Sequence, residues 1–134
     1  MNTDYIHKEL TEKIIKGFYE VYNDLGFGFL ESVYEKSLSL VLNEYGLDVK
    51  SQYPIIVNFR TKIVGEFRAD LVVEDKIIVE LKAVKTLLPE HEAQLLNYLK
   101  ATRYEVGLLL NFGNRPQIKR LIFDNKRKIS HKIT

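Results

Sequence analysis

Two acidic side chains and a lysine interrupt apolar segments in the middle of the chain. Glu80 and Lys82 lie two residues apart within the otherwise apolar segment Ile77–Val84, and Asp70 interrupts the apolar run that ends at Val73. Because isolated charges are costly to bury, such residues are usually paired or bind a metal ion. Two carboxylates can hold a hard cation such as Mg²⁺, with water in the remaining coordination positions. The pattern therefore indicates phosphodiester hydrolysis by an activated water, in which the lysine orients or deprotonates the water or stabilises negative charge.

These side chains meet only if the two strands that carry them pair in one particular register. Strand alternation puts Glu80 and Lys82 on the same face. A three-residue turn at 74–76 would pair Asp70 with Glu80, whereas a two-residue turn would place these two acids on opposite faces. We predict the three-residue turn, and in that register the carbonyl of Leu81 could be a further metal ligand.

The same register predicts one charged and one apolar face for this pair of strands. Arg68 would pair with Lys82 and lie on the charged face. The residues of the apolar face, which suits a core, would be Ala69, Leu71, Val73, Ile77, Val79 and Leu81. The alternative without chemistry is an exposed salt bridge at the edge of a sheet, worth about 0–1 kcal/mol.

Hydrophobic periodicity predicts the elements that must position these residues. Residues 5–25 and 30–45 have apolar side chains at steps of three and four, which predicts two helices. The other predicted elements are strands at 53–60, 63–73, 77–84, 105–111 and 118–123 and a helix at 90–102. The first three strands should form an antiparallel meander, and the strands on either side of the third helix should be parallel. This ααβββαβ order predicts an α/β domain with a four- to five-stranded mixed sheet flanked by helices.

The pattern Asp70…Glu80-x-Lys82 within this order of elements resembles the PD-(D/E)XK nuclease superfamily. The resemblance covers residues 5–124 and implies a restriction-endonuclease-like fold. One residue departs from the pattern, because Ala69 stands where the name of the superfamily has proline.

Further motifs are similar to those of one group within that superfamily. The segment Gly28-Phe-Leu-Glu31-Ser-Val-Tyr34 resembles the Gly-x-x-Glu-x-x-Tyr signature that names the GxxExxY family. Gln94-x-x-x-Tyr98 is similar to a motif of RecB-like nucleases. The other segments that resemble the GxxExxY family are 65–71, 78–83, 91–102 and 107–113.

The resemblance implies roles for residues outside the central strands. Glu31 would be an additional catalytic carboxylate that binds the metal directly or through water. Gln94 would be catalytic, and with Tyr98 it would hold the lysine or a nucleic-acid phosphate. Arg68, Tyr98 and His91 would bind the substrate.

Each of these implied roles has a structural alternative. Glu31 could complement the dipole of the helix that it begins. Gln94 and Tyr98 could form a polar seam between helix and sheet, and Arg68 could neutralise the two acids. His91 could be a solvated side chain at the start of a helix.

The implied activity is that of a nuclease dependent on Mg²⁺ or Mn²⁺, with nucleic acid as its substrate and DNA favoured over RNA. The alternative is a non-catalytic module that retains the fold and binds nucleic acid or protein. A homodimer or a partner subunit is also possible, with Tyr5, Phe27 and Phe29 as candidate interface residues.

The composition of the chain excludes several other kinds of site and protein class. The chain has no cysteine, which excludes disulfides, thiolate zinc sites and cysteine nucleophiles, and its three histidines do not form a His-Glu-x-x-His motif. No apolar run approaches the ~20 residues of a membrane span, and no signal peptide is recognisable, so we expect a cytoplasmic protein without a membrane partner.

Charge is concentrated at the end of the chain. Residues 119–134 contain six lysines and arginines against one aspartate. We expect a single domain at 1–124 and a basic tail at 125–134, which either contacts a polyanion or is only solvated.

Overall fold

A computed structural model describes residues 6–128 of the chain, in which three helices pack on a five-stranded sheet. The elements are α1 (Lys8–Leu25), α2 (Glu31–Glu44), β1 (Val49–Phe59), β2 (Lys62–Val73), β3 (Ile77–Lys82), α3 (Pro89–Ala101), β4 (Val106–Phe112) and β5 (Pro116–Ile122). This order confirms the predicted ααβββαβ arrangement, with β5 as the fifth strand.

The sheet has the strand order β1-β2-β3-β4-β5. Strands β3 and β4 are parallel and are connected through α3, while the other neighbouring pairs are antiparallel. Both features match the prediction. The sheet is therefore mixed, with helices on both faces, as expected for a restriction-endonuclease-like fold.

Strand β1 begins at Val49 rather than at residue 53, and two further strand boundaries differ from the prediction by two residues for local reasons. Strand β3 ends at Lys82 rather than at Val84, because the backbone N–H and carbonyl of Val84 bond to the side chain of Asn111. Strand β5 begins at Pro116, in a segment predicted to be loop. A proline is tolerated there because it is the first residue of an edge strand.

The core has two layers, one on each face of the sheet. Helices α1 and α2 cover the face that carries Leu71, Val73, Ile77, Val79 and Leu81. Helix α3 covers the other face, which carries Ile55, Val72, Ile78 and Leu109. The predicted apolar face of the β2–β3 hairpin is therefore correct for these five residues of the first layer.

Ala69 is the exception, because it packs in the layer beneath α3 rather than beside Leu71. The side-chain alternation of β2 is broken between these residues, at Asp70. The ladder between β1 and β2 omits the pair Gln52–Asp70, and Gln52 has a left-handed φ of 53°. A candidate site residue thus lies where the strand is irregular.

The start of the predicted basic tail is packed against the domain. Residues 125–128 form a helical turn, and the buried Lys128 donates hydrogen bonds from Nζ to the carbonyls of Thr102 (2.8 Å) and Tyr104 (2.5 Å). The rest of the tail, 129–134, lies outside the described residues. Within the described range, none of the helices is both long and apolar enough to cross a bilayer.

Candidate active site

The turn that sets the register of the site has the predicted three residues. The N–H of Lys76 donates to the carbonyl of Val73 (3.0 Å), and Glu74 and Asp75 have left-handed φ values of 54° and 53°. Val72 consequently pairs with Ile78. This register carries Asp70 and Glu80 to the same end of the hairpin.

Asp70 and Glu80 are linked through side chains rather than through the backbone ladder. The N–H of Asp70 donates to Oε1 of Glu80 (3.0 Å), and the N–H of Leu81 donates to Oδ2 of Asp70 (2.7 Å). The ladder between β2 and β3 ends one residue earlier, at Leu71 and Val79. Each carboxylate therefore occupies the place of a backbone acceptor, and the hydrogen bonds fix both acids beside each other.

The predicted pairing of Arg68 with Lys82 is wrong. The ladder to β3 has already ended, because the Asp70 side chain takes the next N–H on that strand. Arg68 instead pairs with Pro54 of β1, and its guanidinium donates to the carbonyl of Gln52 (3.3 Å). The side chain of Arg68 is exposed at the side of the site.

The two linked acids resist ionisation. Burial, followed by the negative charge of Asp70, raises the pKa of Glu80 to about 8. Burial also raises the pKa of Asp70, although the hydrogen bond from Leu81 and the charge of Lys82 oppose this rise. Lys82 likewise lowers the pKa of Glu80, so its half-buried ammonium acts on both acids. Burial and the charge of Asp70 thus favour a proton on Glu80, and ionisation of both acids would leave more negative charge than this lysine compensates.

Helix α2 directs further carboxylates toward the pair. Glu31 is the exposed first residue of α2, and its charge contributes to the raised pKa of Glu80. Glu35 was not predicted as a site residue, although the i, i+4 spacing puts it on the same helix face as Glu31. Burial and the nearby charge of Asp70 raise the pKa of Glu35.

Gln52 is a further residue near Asp70 that was not predicted as a site residue. Its amide donates to Oε1 of Glu35 (2.6 Å), and side-chain hydrogen bonding to Gln52 lowers the pKa of Asp70. No sequence signal would have found it, because Gln52 reaches Asp70 only through the irregular backbone of β1.

Three predicted site residues of α3 line a groove, whose lining does not include Asp70, Glu80 or Lys82. The amide of Gln94 donates to the hydroxyl of Tyr98 (2.9 Å), and His91 accepts at Nδ1 from the N–H of Leu88 (3.0 Å). Burial and the charge of Glu80 raise the pKa of Tyr98. The groove has a volume of about 1150 Å³ and lies between α3 and the β1–β2 hairpin.

The buried Asn111 fixes the chain immediately after the lysine. It is opposite Lys82 in the parallel ladder. Its Oδ1 accepts from the N–H of Val84 (3.0 Å), and its Nδ2 donates to the carbonyl of Val84 (2.9 Å) and to Oε1 of Gln117 (3.0 Å). Its polarity at the end of an apolar strand is the signal that could have identified it.

The donor set fits a cation only if solvent or substrate completes the coordination. Within residues 6–128, no three or more acidic or histidine side chains come close enough together to hold a metal ion by themselves. Asp70 and Glu80 nevertheless form a close pair of hard oxygen donors, which a bound cation would help to ionise. Mg²⁺ commonly takes one or two protein carboxylates and fills its remaining positions with water and substrate phosphate. The pair fits a cation of that kind.

Comparison with known proteins identifies the family. The model of the PD-(D/E)XK nuclease superfamily matches residues 8–121, so the chain belongs to this superfamily. The solved structure of a protein called SSO0001 is similar, with a TM-score of 0.55 and 19% sequence identity. The match covers 95% of this chain and 66% of that one, and at this identity it supports the fold alone. A search of curated proteins found no match.

Proposed function

We propose that this protein hydrolyses phosphodiester bonds of nucleic acid with a divalent cation, Mg²⁺ or Mn²⁺, held by Asp70 and Glu80. The observation that carries the proposal is the pair of hydrogen-bonded, largely buried carboxylates whose pKa values are raised. A site that concentrates negative charge in this way is stabilised by a cation. Membership of a nuclease superfamily supports the same conclusion.

The residues of the proposed site have separate roles in hydrolysis. A divalent cation, when bound, would lower the pKa of a coordinated water and stabilise the charge that develops on the phosphate. The backbone N–H groups of Asp70 and Leu81 hold the two carboxylates in fixed orientations, which lowers the cost of ordering them. Lys82 supplies the positive charge next to this pair and would stabilise the transition state or orient the water.

Other predicted residues would complete the site. The carbonyl of Leu81 and the carboxylate of Glu31 are proposed as further metal ligands, Glu31 acting directly or through water. Gln94 would position the reacting groups through its hydrogen bond to Tyr98.

The groove beside α3 is proposed to take the nucleic acid, with DNA favoured over RNA. Tyr98 and His91 line this groove, and Arg68 would contact a phosphate from the opposite side. We also propose membership of the GxxExxY group, a domain at 1–124 followed by a basic tail, and action in the cytoplasm.

The test is hydrolysis of labelled single- and double-stranded DNA and RNA in the presence of Mg²⁺ or Mn²⁺. We expect cleavage by the wild type and a loss of at least ~10²-fold for Glu80→Gln and for Lys82→Gln. Asp75→Asn is the matched control, because Asp75 lies on the same hairpin but pairs with Arg103. Equal cleavage by the wild type and Glu80→Gln would assign the activity to another site or to a contaminant.

A second candidate function is a binding module that retains the fold. It is favoured by the lack of a group of three close acidic or histidine ligands within residues 6–128. Nucleic-acid binding without cleavage under any of the metal conditions above would support this candidate against hydrolysis.

A further inference from the structure

The loop between α1 and α2 exposes three large apolar side chains in four residues. The exposed fractions are 61% for Phe27, 48% for Phe29 and 77% for Leu30. Exposed apolar residues that occur singly need no explanation, but a contiguous group on one loop indicates a contact surface. We refer to residues 27–30 as the aromatic loop.

The aromatic loop is held in place by buried hydrogen bonds. The hydroxyl of Tyr34 donates to the carbonyl of Gly26 (2.7 Å) and accepts from the N–H of Phe29 (3.2 Å). The ring of Tyr34 stacks on Phe112 with centroids 4.1 Å apart. Gly28 has a φ of +111°, a conformation that side chains rarely adopt. The tyrosine and the glycine of the Gly-x-x-Glu-x-x-Tyr segment thus fix a loop whose rings point to solvent, so binding there loses little entropy.

The aromatic loop lies beside the candidate active site and beside a cation. Phe27 and Gly28 line a cavity of about 340 Å³ together with Lys85, which follows β3, and Asn114, which follows β4. Lys85 is three residues beyond Lys82, is exposed, and forms no ion pair within the described part of the chain. The other end of the aromatic loop runs directly into Glu31. The aromatic loop and the Lys85 ammonium therefore share a cavity at the carboxyl ends of β3 and β4, the end of β3 that also carries Glu80 and Lys82.

We propose that the aromatic loop stacks against unpaired bases of the nucleic-acid substrate while Lys85 contacts the adjacent phosphate. This inference rests on the proposed function and specifies its substrate as single-stranded nucleic acid or a duplex with unpaired nucleotides. Aromatic side chains bind unpaired bases because every base has an exposed π-face, whereas the bases of an intact duplex cover one another. The charge of Lys85 complements a phosphate, which favours nucleic acid over an apolar protein segment as the occupant.

The test measures binding of the full-length chain to a labelled single-stranded oligonucleotide and to its duplex, in EDTA so that no cleavage occurs. We expect Phe27→Ala to weaken binding of the single strand by about tenfold, the effect of losing one stacked base. Binding of the duplex should change much less. Leu40→Ala is the matched control, because Leu40 is 62% exposed on α2, which does not line the groove, and it should bind as the wild type does.

A second readout reports stacking directly. The chain contains no tryptophan, so Phe27→Trp introduces a single tryptophan into the aromatic loop, and its emission can be excited apart from that of the eight tyrosines. We expect its fluorescence to be quenched when the single strand binds, whereas Leu40→Trp should be unaffected.

The outcomes separate this inference from the proposed function. If the wild type binds and cleaves nucleic acid but Phe27→Ala binds the single strand equally well and Phe27→Trp is not quenched, the inference is overturned and the loop is left to a protein partner. If Phe27→Ala weakens binding but Glu80→Gln cleaves as the wild type does, the aromatic loop is supported and the proposed catalytic site is refuted. If the wild type binds no nucleic acid in any form, both fail.

Discussion

The two ends of the β2–β3 hairpin carry acidic residues in opposite electrostatic states. At the turn, the exposed Asp75 accepts hydrogen bonds from Arg103 (2.7 Å) and Tyr104 (2.6 Å), and these bonds lower its pKa. At the open end, burial raises the pKa values of Asp70 and Glu80. The charge of the acid at the turn is compensated by the protein itself, whereas ionisation of both acids at the open end is opposed by burial and only partly compensated by Lys82.

This difference distinguishes an acid with a structural role, Asp75, from acids whose presence indicates another role, Asp70 and Glu80. A buried carboxylate that its neighbours do not neutralise lowers the stability of the fold, so its presence indicates a role that offsets the cost. Asp75 carries no such cost, because its partners are supplied by the chain. The proposed cation would compensate the negative charge of Asp70 and Glu80, as Arg103 compensates that of Asp75.

The largest predicted effect that distinguishes the two ends is on hydrolysis. Asp70→Asn should reduce the rate by at least ~10²-fold, because an amide is a much weaker ligand for a hard cation than a carboxylate. Asp75→Asn should leave the rate unchanged. Cleavage assays at equal folded concentration compare the two variants. Equal rates for Asp70→Asn and Asp75→Asn would show that the two ends of the hairpin do not differ in their contribution to hydrolysis.

The second largest effect is expected on the stability of the metal-free protein, which should depend on pH. The pKa of Glu80 is about 8 in the folded protein and near 4.5 in an unfolded chain, so the folded state retains an extra proton between these values. Its contribution to stability is full below about pH 4.5 and is lost as pH rises toward 8. Each pH unit of this window contributes ~1.4 kcal/mol at most, so the Tm should fall by several degrees between pH 5 and pH 8.

Glu80→Gln is the control for that pH dependence. Glutamine can still accept the hydrogen bond from the Asp70 N–H but cannot ionise. This variant should melt at a higher temperature than the wild type at pH 8 and show a smaller change with pH. A wild-type Tm that rises between pH 5 and pH 8 in EDTA would contradict the assignment of Glu80.

A divalent cation should reverse the destabilisation at the open end. Ligand at about 100 times its Kd stabilises a folded protein by ~2.7 kcal/mol if the unfolded chain does not bind it. We therefore expect Mn²⁺ to raise the Tm of the wild type at pH 8 by several degrees and to have little effect on Glu80→Gln. Thermal melts with and without Mn²⁺ test this, and an equal increase in both proteins would indicate binding elsewhere.

The smallest effect is expected at the turn. Because the folded pKa of Asp75 is lowered, its contribution is present at neutral pH and is lost as pH falls, which is the opposite sign to that of Glu80. Asp75→Asn should lower the Tm at pH 7 by less than Glu80→Gln raises it at pH 8. A large loss would mean that the turn, rather than the open end, is the more sensitive part of this hairpin.

Much of this architecture could be predicted from the sequence because local rules agree with one another. Turn residues at 74–76 and alternation along 77–82 fix the register that brings Asp70 and Glu80 together. Apolar periodicity likewise predicted the three helices and the parallel pair β3–β4. The bounds of the elements moved by a few residues where side chains such as Asn111 replace backbone partners.

The parts that could not be predicted depend on backbone irregularity and long-range contact. Gln52 has a left-handed conformation opposite Asp70, where the side-chain alternation of β2 breaks and Ala69 lies on the other face, and glutamine gives no local signal for that conformation. Arg68 lies beyond this irregularity, and its guanidinium bonds to the carbonyl of Gln52 on β1 rather than lying beside Lys82. Glu35 reaches Asp70 only because α2 packs over the end of the hairpin, a contact that no strand pattern contains.

The central claim is that Asp70 and Glu80 together bind a divalent cation, and calorimetric titration with Mn²⁺ at pH 7 tests it most directly. Repeating the titration in buffers of different ionisation enthalpy measures the protons released on binding, since the metal displaces the proton that Glu80 holds at this pH. We predict one binding event with proton release for the wild type and for Asp75→Asn, and at least ~10-fold weaker binding without proton release for Glu80→Gln. Identical isotherms for the wild type and Glu80→Gln would contradict the claim.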